Sequence, residues 1–331
     1  MSDLLNFFTE PFQLELMRRA LYSAIVIAIV CALFSCFLVL KGWSLIGDAI
    51  SHAVLPGIAI AYLIGIPLII GAFISGIFCS FATGFIKNNS RIKEDTVMGI
   101  LFSGMFAIGI IMVTKIQTNI HLSHILFGNI LGITHNEFIF TIIISALISG
   151  ILLLKLKDFI LFCFDATQAK VVGLPVTFLH YLLLSMLSLT IVTTLQAAGI
   201  VLVIAMLISP GITAFLLTKR FEYMLVIAVF VSVIASIIGT IMSYHLDADT
   251  GPSIVIIQAI IFVRAYILSL ILRVKKLNMQ LLSHLLPQHR VHRLHLVSHH
   301  DVKSLHIAPS HFLIQQAFLE LPLFAVHTRK L

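Results

Sequence analysis

The chain has 331 residues, 60% of them apolar and 11% charged, with a mean hydropathy of +1.10. A soluble globular chain carries about 45–50% apolar and about 25% charged residues, so this inventory cannot cover a water-facing surface, and an integral membrane protein is expected. The formal charge of +7, from 21 Lys+Arg against 14 Asp+Glu, belongs in such a protein to cytoplasmic loops, which removes the usual argument for nucleic acid as a partner.

Asp3, Glu10 and Glu15 near the start, and the length of the apolar run that follows, argue against a cleaved signal peptide. In chain order, the strongly apolar stretches free of Asp, Glu, Lys and Arg are Ala20–Leu40, Ala49–Ile86, Thr96–Thr114, Phe138–Leu154, Val171–Thr218 and Tyr223–Leu246, with a last run, Thr250–Leu272, broken by Arg264. A span needs roughly 20 residues, so Ala49–Ile86 and Val171–Thr218 each hold two. The expected fold is therefore all-α, a polytopic transmembrane bundle with eight or nine spans. Strict two-residue alternation is absent, and open sheet edges do not survive in hydrocarbon. Gly65, Pro67 and Gly71 mark a break in the first long run, and Gln196 and Gly199 mark one in the second. Cys31, Cys36, Cys79 and Cys163 form no CxxC pair and read as small packing residues.

Positive charge orients the bundle. Lys87, Arg91 and Lys93, then Lys155, Lys157 and Lys170, then Lys219 and Arg220, then Arg273, Lys275 and Lys276 are all expected in the cytoplasm. Arg18 and Arg19 break the pattern, because counting back through nine spans places them outside. Residues 1–276 form the membrane domain on this reading. Residues 277–331 are a basic tail with nine of the fifteen histidines, five Lys+Arg and two acids. His-rich tracts can bind metal, but no regular ligand spacing repeats here, and the tail is read as a disordered or aberrant extension.

An ionisable residue inside a membrane is costly and marks a functional site by default. The clearest case is Asp48 with His52, which at i and i+4 share one helix face. Carboxylate and imidazole together suit divalent manganese, iron or zinc better than Cu(I). Two ligands are too few for a coordination sphere, but a symmetric dimer would supply the pair twice. The same spacing also suits an N-cap at Asp48 with His52 packed one turn on, and spacing leaves both readings open. The surrounding Ala49, Ser51, Ala53 and Gly57 favour a crowded helix interface. His121, His124, His135, His180, His245, Asp247 and Asp249 are left outside the metal set.

The segment Lys41-Gly42-Trp43-Ser44-Leu45-Ile46-Gly47-Asp48-Ala49-Ile50-Ser51-His52-Ala53-Val54-Leu55-Pro56-Gly57 resembles the hallmark of the membrane permease subunits of bacterial metal-ion ABC importers, manganese/iron branch. Lys93-Glu94-Asp95-Thr96, Phe127-Gly128-Asn129-Ile130-Leu131-Gly132, Phe164-Asp165-Ala166-Thr167 with Gly173-Leu174-Pro175, and Ala205-Met206-Leu207-Ile208-Ser209-Pro210-Gly211 follow in the order of that family. So do Leu217-Thr218-Lys219-Arg220-Phe221 and Ser243-Tyr244-His245-Leu246-Asp247, and the likeness covers roughly residues 10–272.

The resemblance implies a multi-pass protein of the bacterial inner membrane that imports divalent manganese or iron. Its partners would be a second permease, identical or similar, a pair of ATP-binding subunits and an extracytoplasmic metal-binding protein. Asp48 and His52 match the coordinating pair on the transport path. The loop with Asp165, Lys170, Gly173 and Pro175 matches the segment that engages the ATPase. No permanently bound cofactor is implied. The chain has no G-x-x-x-x-G-K-S/T of its own, so ATP hydrolysis is expected on a partner and this chain is not expected to be an enzyme. A zinc importer of the same family is the nearest alternative, and an ion-gradient-driven transporter a more distant one. Two features depart from the family: Arg264 in the last span, and the tail.

Overall fold

The computed structural model describes residues 13–43, 45–92, 94–115 and 132–296. All secondary structure among these residues is helical, as hydrocarbon requires of backbone whose polar groups must pair within their own segment. Among the described residues nine stretches are long and apolar enough to cross a membrane: Glu15–Lys41, Ile46–Ile64, Leu68–Lys87, Thr96–Lys115, His135–Leu154, Val176–Leu195, Ala197–Leu217, Phe221–Leu246 and Thr250–Lys275. The larger of the two expected counts is met, and both long charge-free runs divide in two.

The helix α1 (Glu15–Lys41) is the hub, buried along most of its length and packed against α9 (Val176–Leu217) and α10 (Phe221–Leu246). Ala20, Ser23, Ala24, Ala28, Ala32 and Ser35 are all completely buried, and side chains this small let helix backbones approach closely where no water drives association. α1 stops in a Schellman turn. The Trp43 N–H donates to the Leu38 carbonyl at 2.8 Å and the Gly42 N–H to that of Val39 at 3.3 Å. Gly42 takes φ +73°, a conformation glycine adopts without a Cβ penalty.

The next span is two short helices, α2 (Ile46–Ala53) and α3 (Leu55–Ile64). Pro56 lacks the N–H that would serve the His52 carbonyl four residues back, so the regular ladder is interrupted one turn after His52. The Ala53 carbonyl accepts a hydrogen bond from the Ser75 hydroxyl at 2.7 Å, supplied by α4 (Leu68–Asn89). The expected break between these spans is present: Gly65 ends α3 at φ +79° and Pro67 precedes α4. Backbones cross at Gly57 and Gly71, where a Cβ on either would overlap the carbonyl oxygen of the other. α5 (Glu94–Lys115) lies against the interruption, with the Cβ position of Gly109 only 2.9 Å from the Pro56 nitrogen.

α6 (His135–Leu154) opens with a capping box, in which the Glu137 N–H donates to the Thr134 hydroxyl and the Thr134 N–H to the Glu137 carboxylate. Two short helices follow, α7 (Leu156–Phe164) and α8 (Ala166–Val171), and lead into α9. In α9 the backbone breaks at Gly199, with φ +78° and ψ +166°. Further along, Pro210 removes one ladder bond, and the Ser35 hydroxyl of α1 spans the gap. It accepts from the Gly211 N–H at 2.8 Å and donates to the Ile208 carbonyl at 3.2 Å. α10 ends at Asp247, the one described non-glycine residue with positive φ, and α11 (Thr250–Leu296) follows.

The chain divides into two compact units, residues 1–272 and 273–331. The first holds the bundle; of the second, residues 273–296 are helical. His121, His124, the stretch 127–131, Lys93 and the tail histidines from His299 onward lie outside the described residues. Arg264 is exposed on its helix. All four cysteines are free and buried, as packing residues should be.

Candidate functional site

Of the eight residues of α2, six are buried: Ile46, Gly47, Ala49, Ile50, Ser51 and Ala53. Asp48 and His52 are the remaining two and form its one partly exposed strip, with side-chain exposures of 34% and 24%. Small residues make this possible: Gly47 lies beside Leu207 of α9, and the Ser51 hydroxyl turns back onto the Gly47 carbonyl at 2.7 Å. The helix is held by α4, α5 and α9.

The His52 Nε2 stands 3.2 Å from the Asp48 Oδ1. Bonds of about 2.1 Å from a first-row cation place two adjacent ligands about 3.0 Å apart at octahedral and about 3.4 Å apart at tetrahedral angles, so the observed separation fits two neighbouring donors on one ion. Phe106 meets the His52 ring edge-on at 4.8 Å, and Phe102 lies nearly parallel to it at 6.1 Å. The His52 Nδ1 is buried with no hydrogen-bond partner, which leaves Nε2 as the nitrogen directed at the carboxylate. Leu45 occupies the N-cap position and no side chain caps the helix. Asp48 therefore sits in the first turn without capping it, favoured there by the helix dipole. Among the described residues no three His, Cys, Asp or Glu side chains gather into a metal cluster.

The second candidate region is the connection from α7 to α9. The Asp165 carboxylate caps α8, accepting from the Thr167 N–H at 2.8 Å and the Gln168 N–H at 3.0 Å. A second Schellman turn closes the helix: the Leu174 N–H donates to Ala169, the Gly173 N–H to Lys170, and Gly173 takes φ +90°. Pro175 then starts α9. A groove of about 690 Å³ lies here, lined by Lys170, Leu174, Pro175, Val176, Phe178 and Tyr181 among others. Val171, Val172 and Phe178 are 82%, 65% and 62% exposed, an apolar grouping of the kind that marks an interaction surface.

The inner face of α7 is anchored differently, by Phe159, Phe162 and Cys163, all buried. Burial pushes the Cys163 thiol up to about 12, and the neighbouring Lys41 ammonium offsets only part of that. Only about one thiol in ten thousand is ionised at about pH 8, and the thiolate is the reacting species. Alkylation of Cys163 by N-ethylmaleimide, followed by mass spectrometry, is therefore expected to be at least about a hundredfold slower than for free cysteine. Labelling at the rate of free cysteine would show that α7 leaves the bundle.

Phe102, Phe106 and Phe162 had no individual signal in the sequence, and Lys41 stood out there only as the first residue of the resembling segment. Each aromatic lies in an apolar run where every position looks alike, and Lys41 reaches a partner 121 positions away. His135 is exposed at the start of α6, and His180 packs between Trp43, Phe162 and Tyr181.

The chain belongs to the ABC 3 transport family, whose model matches residues 13–269. It is a multi-pass inner-membrane protein and a permease subunit of an ABC transporter. It is 58% identical over 279 residues to the chelated iron transport system membrane protein YfeD of Yersinia pestis, covering 84% of this chain and 94% of that one. It is 48% identical over 262 residues to the manganese transport system membrane protein MntB of Synechocystis, covering 79% and 86%. Among solved structures it matches PsaBC from Streptococcus pneumoniae in complex with Fab, with a TM-score of 0.72 and 37% identity over 80% of this chain and 95% of that one.

Proposed function

We propose that this chain is the membrane permease of an ATP-driven importer of divalent manganese or iron, and that Asp48 and His52 bind the ion in transit. The observation that carries this reading is the 3.2 Å pair of Asp48 Oδ1 and His52 Nε2 on the one open strip of an otherwise buried helix. A carboxylate and an imidazole suit manganese and ferrous iron, and without thiolates they hold the ion weakly enough to release it. The names of the relatives point to the same metals. A second permease, identical or similar, set about a twofold axis completes the half-site with another Asp and His.

The α7–α8 connection, with Asp165, Lys170, Gly173 and Pro175, receives the ATP-binding subunits. The nine candidate spans among the described residues bring the connections after the first, third, fifth and seventh spans to one face, and the Lys and Arg clusters beside them make that face cytoplasmic. An extracytoplasmic metal-binding protein delivers the ion to the other. Hydrolysis takes place on the partner, and this chain supplies the path, its ligands and the surface that receives the motion. Asp165→Ala removes the α8 cap at a cost of about 1 kcal/mol, and co-purification of the ATP-binding subunit is expected to fall with it. Undiminished co-purification would place the docking surface elsewhere.

The reading as a whole is tested by uptake of radiolabelled manganese and iron into proteoliposomes holding the complete transporter, with zinc as competitor. Uptake that follows ATP hydrolysis and is displaced weakly by zinc is expected. Uptake driven by an ion gradient without ATP would overturn it.

A further inference from the structure

Lys41 is the last residue of α1. Its Nζ donates to the Phe162 carbonyl at 3.4 Å and lies 4.0 Å from the centre of the Phe162 ring and 5.9 Å from that of Trp43. Phe162 belongs to the last turn of α7, where carbonyls have no partner within the helix and the dipole favours a cation. One ammonium thus serves a helix end and an aromatic face together, an arrangement stronger when partly desolvated than in water.

From this point the contacts spread. Trp43, 2% exposed, meets His180 of α9 edge-on at 5.5 Å, and Phe162 meets the same ring at 6.2 Å. Beside His180, Tyr181 stacks on Phe81 of α4 at 4.4 Å. Trp43 is held by the Schellman turn of α1 and stands five residues before Asp48 in the chain. The short path from α7 to the candidate ligands therefore runs through Lys41, Trp43 and the start of α2. Phe159 against Phe37 at 6.1 Å is a second contact of α7 with α1, about one turn before Lys41.

We infer that Lys41 is a positioning residue that ties α7 to the segment entering α2, so that displacement of the cytoplasmic connection moves Asp48 and His52. This rests on the reading of α7–α8 as the surface that receives the ATP-binding subunits. Removing the ammonium would leave the connection able to bind its partner but slack in transmitting movement.

The test uses the complete transporter in proteoliposomes, with the loaded metal-binding protein, and reads manganese taken up per ATP hydrolysed. Lys41→Met keeps the length of the side chain and removes the charge. Uptake per ATP is expected to fall about tenfold, as for loss of a part-buried cation contact, while hydrolysis stays within about a factor of two. Lys41→Arg restores both a cation and a donor and should keep most of the ratio. An unchanged ratio in Lys41→Met overturns the inference, and so does a parallel fall of uptake and hydrolysis, which would make Lys41 a docking or folding residue. Should Lys41→Met fail to assemble, Phe162→Leu, which keeps the carbonyl and removes the ring, decides the matter: a lowered ratio supports the inference and an unchanged one refutes it. A wild-type transporter that moves metal without hydrolysing ATP would instead refute the docking role of α7–α8, and this inference with it.

Discussion

Replacing Asp48 or His52 with Ala is expected to lower manganese and iron uptake at least about a hundredfold, since even groups that only support a metal ligand cost about 10–100-fold when lost. Each variant should still reach the membrane and retain its ATP-binding subunit, because both side chains lie on the one open strip of α2 while the six residues that pack it are untouched. Asp48→Asn and His52→Gln sharpen the test, as they preserve volume and polarity but weaken coordination. If the pair served only to pack and neutralise one another, these conservative variants would transport normally. Uptake should also weaken as pH falls, because an imidazole binds metal only as the free base and protons compete for it. Normal uptake in both alanine variants would return Asp48 to a first-turn acid favoured by the dipole and leave the path without located ligands.

Gly57→Ala should be among the most damaging small substitutions in the chain. Its Cβ would overlap the Gly71 carbonyl oxygen and press on Ser75, so neither side can yield by rotating a side chain. Backbone separation of α3 from α4 would follow, at a cost of about 3 kcal/mol or more. Ser75 donates to the Ala53 carbonyl beside the Pro56 interruption, so the strain reaches the end of α2, one residue past His52. Gly150→Ala is the control: nothing lies within 4 Å of its Cβ position, and there alanine should be neutral or stabilise α6 by up to about 1 kcal/mol. Thermal unfolding of the purified variants in detergent reads both. Equal stability of Gly57→Ala and the wild type would show that α3 and α4 are farther apart than described.

The number of spans was legible to within one, eight or nine, from the runs without charge, because an uncompensated charge in hydrocarbon costs enough to punctuate the chain. The helix breaks were legible for a related reason. Gly65 with Pro67, and Gly199, are residues whose backbone chemistry interrupts a helix whatever surrounds them, and the structure breaks at each. The cap at Asp165 and the turn at Gly173 followed the same local rules. At Asp48 local rules were ambiguous, since an acid near a helix start suits a cap as well as a ligand. The structure puts Leu45 at the cap and turns the Asp48 carboxylate toward His52.

Composition, punctuation and the i, i+4 pairing of Asp48 with His52 thus settled a helical membrane protein, its spans to within one, and a candidate pair of ligands, because each follows from the chemistry of neighbours along the chain. Which helices meet did not follow. In a membrane the lipid-facing side of a helix is as apolar as its packed side, so Phe102 and Phe106 beside His52 look no different in sequence from the exposed Phe78 and Phe85. The Ser35 bridge across Pro210, the crossing of Gly57 and Gly71, and the Lys41–Phe162 link join residues remote in the chain. They exist only once the helices are packed, since each depends on close approach between surfaces that carry no pattern of their own.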